Sequence, residues 1–304
     1  MLPSTSRPSA ARRIGLLPCI LALLGCLATP LAARELTVER LDAELVVRAN
    51  GDLLVTEQIR ATFVGSWNGL VRTLPLEYPG PHGTNYSLVL SVLGATDEAG
   101  HPLKTSLRRR GGQLEVRIWV PGAADATRTV TLRYRVANAL RFFEGYDELY
   151  WNAIGNESGM PVLAGSARVF LPPAVRGLRA QAWEGPYGSI ERAAVDTAGG
   201  SYVEVRNART LGFNEALTVD VAWNAGVVAR PGPARLAWWF LRANWALAVP
   251  ILAFAFMLVL WYRRGRDPRL RPIAPMYQPP EGLTPAEAGT LLDNTPDLRD
   301  ITAV

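Results

Sequence analysis

From residue 35 to about residue 224, apolar and polar side chains alternate with a period of two, stretch after stretch, and no helical stripe of twelve residues interrupts them. Successive side chains of a strand point to opposite faces, so this pattern predicts strands with one face in a core and the other in water. Leu41, Ala43, Leu45 and Val47 alternate with Asp42 and Glu44, and "ANGD" then supplies an Asn-Gly turn. Val55, Ile59, Ala61 and Phe63 follow, alternating with Thr56, Gln58, Arg60 and Thr62. Such a pair predicts a β-hairpin. The alternation returns in "LEVRIWV" and in "TVTLRYRV", and again in "ARVFLP", "SYVEV" and "LTVDVAW", with Gly, Pro, Asn and Asp clusters between them. The predicted fold class is therefore all-β, an antiparallel β-sandwich over residues 34–228. The length suits one sandwich or two smaller ones, and any seam between two falls near residues 140–160.

Two apolar segments depart from this pattern. Residues 1–33 carry Arg7, Arg12 and Arg13 ahead of "IGLLPCILALLGCLATPLAA", a short apolar run ending in small residues. This predicts a signal peptide cleaved near Ala32 or Ala33, with lipoprotein-type processing at Cys26 as the rival. Residues 237–262, "AWWFLRANWALAVPILAFAFMLVLWY", predict one transmembrane helix, with Trp238, Trp239 and Trp245 at one interface and Trp261 and Tyr262 at the other. Pro250 predicts a bend. Residues 229–236 form a Pro- and Gly-containing linker before the span.

Charge orients the chain. Arg263, Arg264, Arg266, Arg269 and Arg271 follow the span, against Arg230 and Arg235 before it. Basic residues stay on the cytoplasmic side, which predicts an extracytoplasmic (periplasmic) β-domain, a single span in this chain and a cytoplasmic segment at 263–304. The net charge of +5 is explained largely by these arginines and those of the signal, so the bilayer is the expected partner and nucleic acid is not. In the tail, Thr284, Pro285 and Glu287 predict a capped helix start, and a second helical pattern from Asp297 runs up to Val304, which suggests a longer protein.

Recognisable catalytic chemistry is scarce. Both cysteines, Cys19 and Cys26, lie in the signal, and both histidines, His82 and His101, lie in turn sequences without a nucleophile elbow. No cofactor motif is present, and a calcium site from Asp147, Glu148 and Glu157 is the one metal arrangement the spacing leaves open. The candidate site is "YDELYWNAIG", residues 146–155, where acids and aromatics crowd together. Arg72, Asp147, Glu148, Tyr150, Trp151 and Asn152 are the candidate structural or recognition cluster, with Arg72 bonding the carboxylate of Glu148 and Asn152 fixing a turn. Trp67, Tyr146, Tyr150, Trp151, Trp183 and Tyr187 are candidates for stacking on sugars.

"FVGSWNGLVRTLPL" at 63–76, "YDELYWNAIGNESGMPV" with "ARVFLP" after it, and "YQPPEGLTPAEAGTLLDNTPDLRDITA" beyond the span resemble the predicted membrane proteins that carry domain of unknown function 2207. The resemblance implies a membrane protein, brings no established activity and transfers no catalytic residue. The expected function is thus a membrane-anchored envelope protein whose β-domain binds or senses an envelope glycan or protein partner without catalysis. The alternatives are a polysaccharide hydrolase using Glu148 with Glu144, Asp147 or Glu157, and a scaffold or signalling protein whose effector lies beyond residue 304.

Overall fold

The computed structural model describes residues 34–79, 81–156, 159–197, 202–265 and 281–293, together with 295 and 298. The expected signal segment, Glu157, most of the basic stretch after the apolar helix and the second tail helix lie outside the described residues. In chain order the strands are β1 (Glu35–Val47), β2 (Leu53–Ser66), β3 (Gly69–Pro75), β4 (Glu77–Pro79), β5 (Asn85–Ser87), β6 (Val89–Thr96), β7 (Pro102–Leu103), β8 (Thr105–Arg110) and β9 (Gln113–Trp119). They continue with β10 (Ala124–Ala137), β11 (Leu140–Phe142), β12 (Tyr146–Ile154), β13 (Val162–Phe170), β14 (Arg179–Pro186), β15 (Ala194–Asp196), β16 (Tyr202–Arg206) and β17 (Glu215–Asn224).

The hairpin read from the first alternation is β1 and β2, paired from Val47 opposite Leu53 to Glu35 opposite Val64. It forms the centre of an eight-stranded sheet ordered β15-β16-β13-β1-β2-β10-β6-β7. Leu41, Leu45, Val55, Ile59 and Phe63 from these two strands are buried, as are Val130, Leu132 and Val136 from β10. Three smaller sheets, β3-β9-β8, β11-β12-β17-β14 and the two-stranded β4-β5, accompany it, and buried side chains of the three larger sheets join in one core. The class is all-β, but not purely antiparallel, because β13 lies parallel to β1. That pairing arises because β11 and β12 intervene in the other layer, so β13 re-enters the large sheet by a crossover rather than a hairpin.

The segment at 140–160 is where the chain changes sheets. Asn138, at a φ of 64°, turns the chain out of β10 and into β11. β12 then crosses the core and β13 returns to the large sheet. Gly69 makes the corresponding exit from β2 to β3: its φ is 140°, and a Cβ there would lie 2.0 Å from the carbonyl oxygen of Ile118. Only glycine fits so close an approach.

After β17 come α1 (Pro233–Ala243), α2 (Ala248–Arg264) and α3 (Pro285–Asp293). The single helix expected over 237–262 is in fact two. α1 ends at Asn244, whose backbone leaves the helical region while its N–H donates to the Phe240 carbonyl. Among the described residues, the segment long and apolar enough to cross a membrane is Trp245–Arg264, 20 residues of mean hydropathy 2.1. Pro250 is the third residue of α2, in the first turn, where its missing N–H would have no helical partner, so the expected bend is not required. In α3 the capping box forms: the backbone N–H of Thr284 donates to Glu287 at 2.8 Å, and that of Glu287 donates back to Thr284 Oγ1 at 3.4 Å.

Candidate functional site

Alternation along β12 sends the six candidate residues to separate places. Arg72, from β3, is not the partner of Glu148. It reaches across the core to Glu57 of β2, donating from Nε at 2.8 Å and from Nη2 at 3.0 Å, while Tyr134 of β10 donates to the same carboxylate at 2.7 Å. Glu57 and Tyr134 are fully buried and Arg72 is nearly so. Burial and the adjacent Glu57 charge push the Tyr134 phenol well above its ordinary pKa, so it stays a donor. This network links two sheets and is structural.

Asp147 and Glu148 are neighbours in a strand and therefore face opposite ways, which rules out a shared calcium ion. Asp147 is fully buried and accepts a 3.0 Å bond from Arg230, whose same nitrogen donates to the Phe143 carbonyl at 2.7 Å. The pair fastens the segment leaving β17 onto the β11–β12 hairpin, and Asp147 Oδ2 meets no partner among the described residues.

Glu148, Tyr150 and Asn152 lie on the outer face of the four-stranded sheet. Asn152 is mid-strand and accepts from Thr218 of β17 at 2.8 Å, so it ties strands together and does not fix a turn. Glu148 lies 3.5 Å from Arg141 and contacts Asp220 on β17. Burial first, and then the neighbouring Glu148, raise the Asp220 carboxyl to about 6. Arginines cover the aromatic faces here: Arg141 over Tyr150 at 4.9 Å, Arg179 over Tyr146 at 5.1 Å and Arg192 over Trp183 at 5.2 Å. One face of each of these three rings is therefore already occupied by a guanidinium group.

A cavity of about 520 Å³ opens beside β12. Tyr150, Trp151 and Asn152 form one wall, Leu140 and Phe142 a second, and Tyr86 with Leu236 of α1 close it. β11 covers β12 only at residues 147–149, whereas β17 runs alongside from Tyr146 to Ile154. Among the described residues no strand pairs with the other edge of β12 beyond Leu149. The edge is bare because the Asn138 turn takes the chain away from where β11 would continue. Tyr86 holds that turn by donating to the Asn138 carbonyl, and Asn138 donates to Ser87 O at 2.8 Å. The indole N–H of Trp151 is buried without an acceptor among the described residues.

Sequence reasoning missed Glu57, Tyr134, Asp220 and Arg230. The signal for the first was present: Glu57 occupies the inward slot between Val55 and Ile59.

No curated protein matches the chain. Solved structures similar to part of it include leukotriene A4 hydrolase from Saccharomyces cerevisiae, at 10% identity and a TM-score of 0.41 over 70% of this chain and 34% of that one. A second is the M1 zinc metallopeptidase from Deinococcus radiodurans, at 15% identity and a TM-score of 0.30 over 62% of this chain and 42% of that one. The chain thus spans well under two thirds of either protein. The family model described as predicted membrane protein (DUF2207) N-terminal domain matches residues 37–223, and the chain belongs to that family.

Proposed function

We propose that this is a membrane-anchored, non-catalytic recognition protein whose extracytoplasmic β-domain takes an extended segment of a partner polypeptide at the open edge of β12. The observation that carries this reading is the bare edge at Tyr150–Asn152 running along a cavity of about 520 Å³. An extended peptide laid on such an edge gains main-chain hydrogen bonds, and alternate side chains find pockets. The cavity has room for one large apolar side chain, with Tyr86, Leu140, Phe142 and Leu236 around it. A peptide carbonyl would also satisfy the Trp151 indole.

Support for the non-catalytic half comes from the acids. Asp220 is the carboxyl that feels the charge of Glu148, and burial together with that charge raises it to about 6. Paired glycosidase carboxyls stand about 5 to 9 Å apart with the scissile bond between them. Asp147, the acid adjacent to Glu148, is fully buried and faces the opposite side of β12, so those two do not flank one bond.

The test uses the full chain in nanodiscs against a displayed library of random peptides, with hydrogen exchange on the selected binders. Binders should protect the amides of 150–152, and Leu236→Trp, which fills the cavity from a partly exposed position, should abolish binding while leaving exchange elsewhere unchanged. Binders that protect another surface, or the absence of any binder, would sink the proposal.

A further inference from the structure

α1 presents two unlike faces. Trp239 and Ala243 are half-buried against the β-domain, and Asn244 after them is buried. Asn244 locks the helix end to β5 by accepting from the Asn85 N–H at 2.7 Å and donating to the Asn85 carbonyl at 3.0 Å. Spaced three and four residues apart on the opposite side, Ala234, Trp238 and Leu241 point away from the domain, with Arg235 and Arg242 along one flank. Trp238 is 64% exposed, Leu241 56%, and Trp245 just beyond is 70%.

We infer that α1 lies flat on the bilayer, its Trp238–Leu241 face seated at the level of the lipid headgroups. Chain continuity names this occupant over any other. Only Asn244 separates α1 from Trp245, where the span begins, so the C-terminal end of α1 is held at the membrane surface. Its composition agrees, since tryptophans favour the interface and the Arg242 stem can reach from the apolar stripe to a lipid phosphate, while Arg235 is turned back over the Trp239 ring, 6.0 Å from its centroid. A helix so seated, and fastened to β5 by Asn244, holds the β-domain against the membrane. Because α1 also supplies Leu236 to the cavity wall, the cavity borders the bilayer surface. This inference stands apart from the proposed function and survives if no peptide binds.

The full chain, with Cys19 and Cys26 replaced by Ser, is reconstituted in vesicles of phosphatidylcholine and phosphatidylglycerol. Nitroxide labels are placed at Leu241→Cys on the outward face, at Tyr187→Cys, which is 94% exposed, and at Leu258→Cys within the span. Collision with oxygen and with a water-soluble nickel chelate is then compared. The expected result is a several-fold higher oxygen-to-nickel ratio at position 241 than at 187, approaching that at 258, and its fall towards the 187 value in Trp238→Glu. A ratio at 241 equal to that at 187 overturns the inference. So does protection of 241 from both reagents with spin–spin broadening, which would mean that a second copy covers the face.

Discussion

At the residue scale, the core holds an ion pair where an apolar pair would have packed. Arg72 is bidentate to Glu57 and Tyr134 completes the carboxylate's shell, so every strong group in the triad has a partner. Such a network is stable only while whole: removing one charge strands the other out of water. Arg72→Ala is expected to lower stability by about 3–5 kcal/mol in urea titrations, whereas Arg72→Met combined with Glu57→Leu should cost far less. Asp220 makes a second, pH-dependent expectation. Its folded pKa of about 6 exceeds its ordinary 3.8. Between those values only the folded state holds the proton, so stability should fall as pH rises from 4 to 6 and level off above. Asp220→Asn should remove that slope and be the more stable protein at pH 8, checked by thermal melts across the range. Much of this was legible. Glu57, Arg72 and Tyr134 each hold an inward slot of an alternating strand, which marks a buried polar group that must be paired. Which inward charge meets which was not legible, because Glu57, Arg72 and Tyr134 come from three strands in two sheets whose stacking the period of two does not encode. Proximity in sequence motifs therefore favoured the wrong carboxylate, Glu148.

At the element scale, β12 shows how alternation divides a motif into unlike roles. Asp147 and Trp151 go inward, Glu148, Tyr150 and Asn152 outward, so one acid–aromatic run serves a core anchor, a sheet face and a cavity wall. The face assignments were readable from "YDELYWNAIG". The bare edge was not, since it depends on where β11 stops, and that is set by the left-handed turn at Asn138. The helix boundary at Asn244 was likewise hidden, because the segments on both sides of it are largely apolar, with Arg242 the one charge near it, and the stop comes from hydrogen bonds to Asn85. One staple can be tested by itself. Arg230→Ala leaves the fully buried Asp147 without its cation and is expected to cost about 3 kcal/mol, the low end for breaking a buried pair because Arg230 is half-exposed. Asp147→Asn in the Arg230→Ala background should recover part of the loss. Hydrogen exchange should meanwhile report faster opening of residues 225–231, where Ala225 and Ala229 bond to Gly145 and Ala49.

At the scale of the whole molecule, the membrane segment and the charges around it decide which compartment the β-domain meets. The described span has Arg263 and Arg264 in its last turn, and Arg266, Arg269 and Arg271 follow in sequence. Three arginines, Arg230, Arg235 and Arg242, precede it. Arginines thus number five at or after the end of the span and three before it. This argues for the β-domain outside and the α3 segment inside. With Cys19 and Cys26 replaced by Ser, a membrane-impermeant maleimide should label Tyr187→Cys in intact cells and Glu281→Cys only after permeabilisation. Replacing the five arginines after the span with Ala should bring a fraction of chains into the opposite orientation, seen as Glu281→Cys labelling from outside. Labelling of position 281 in intact cells with the arginines in place would put the domain in the cytoplasm, and the partner would then have to be sought there.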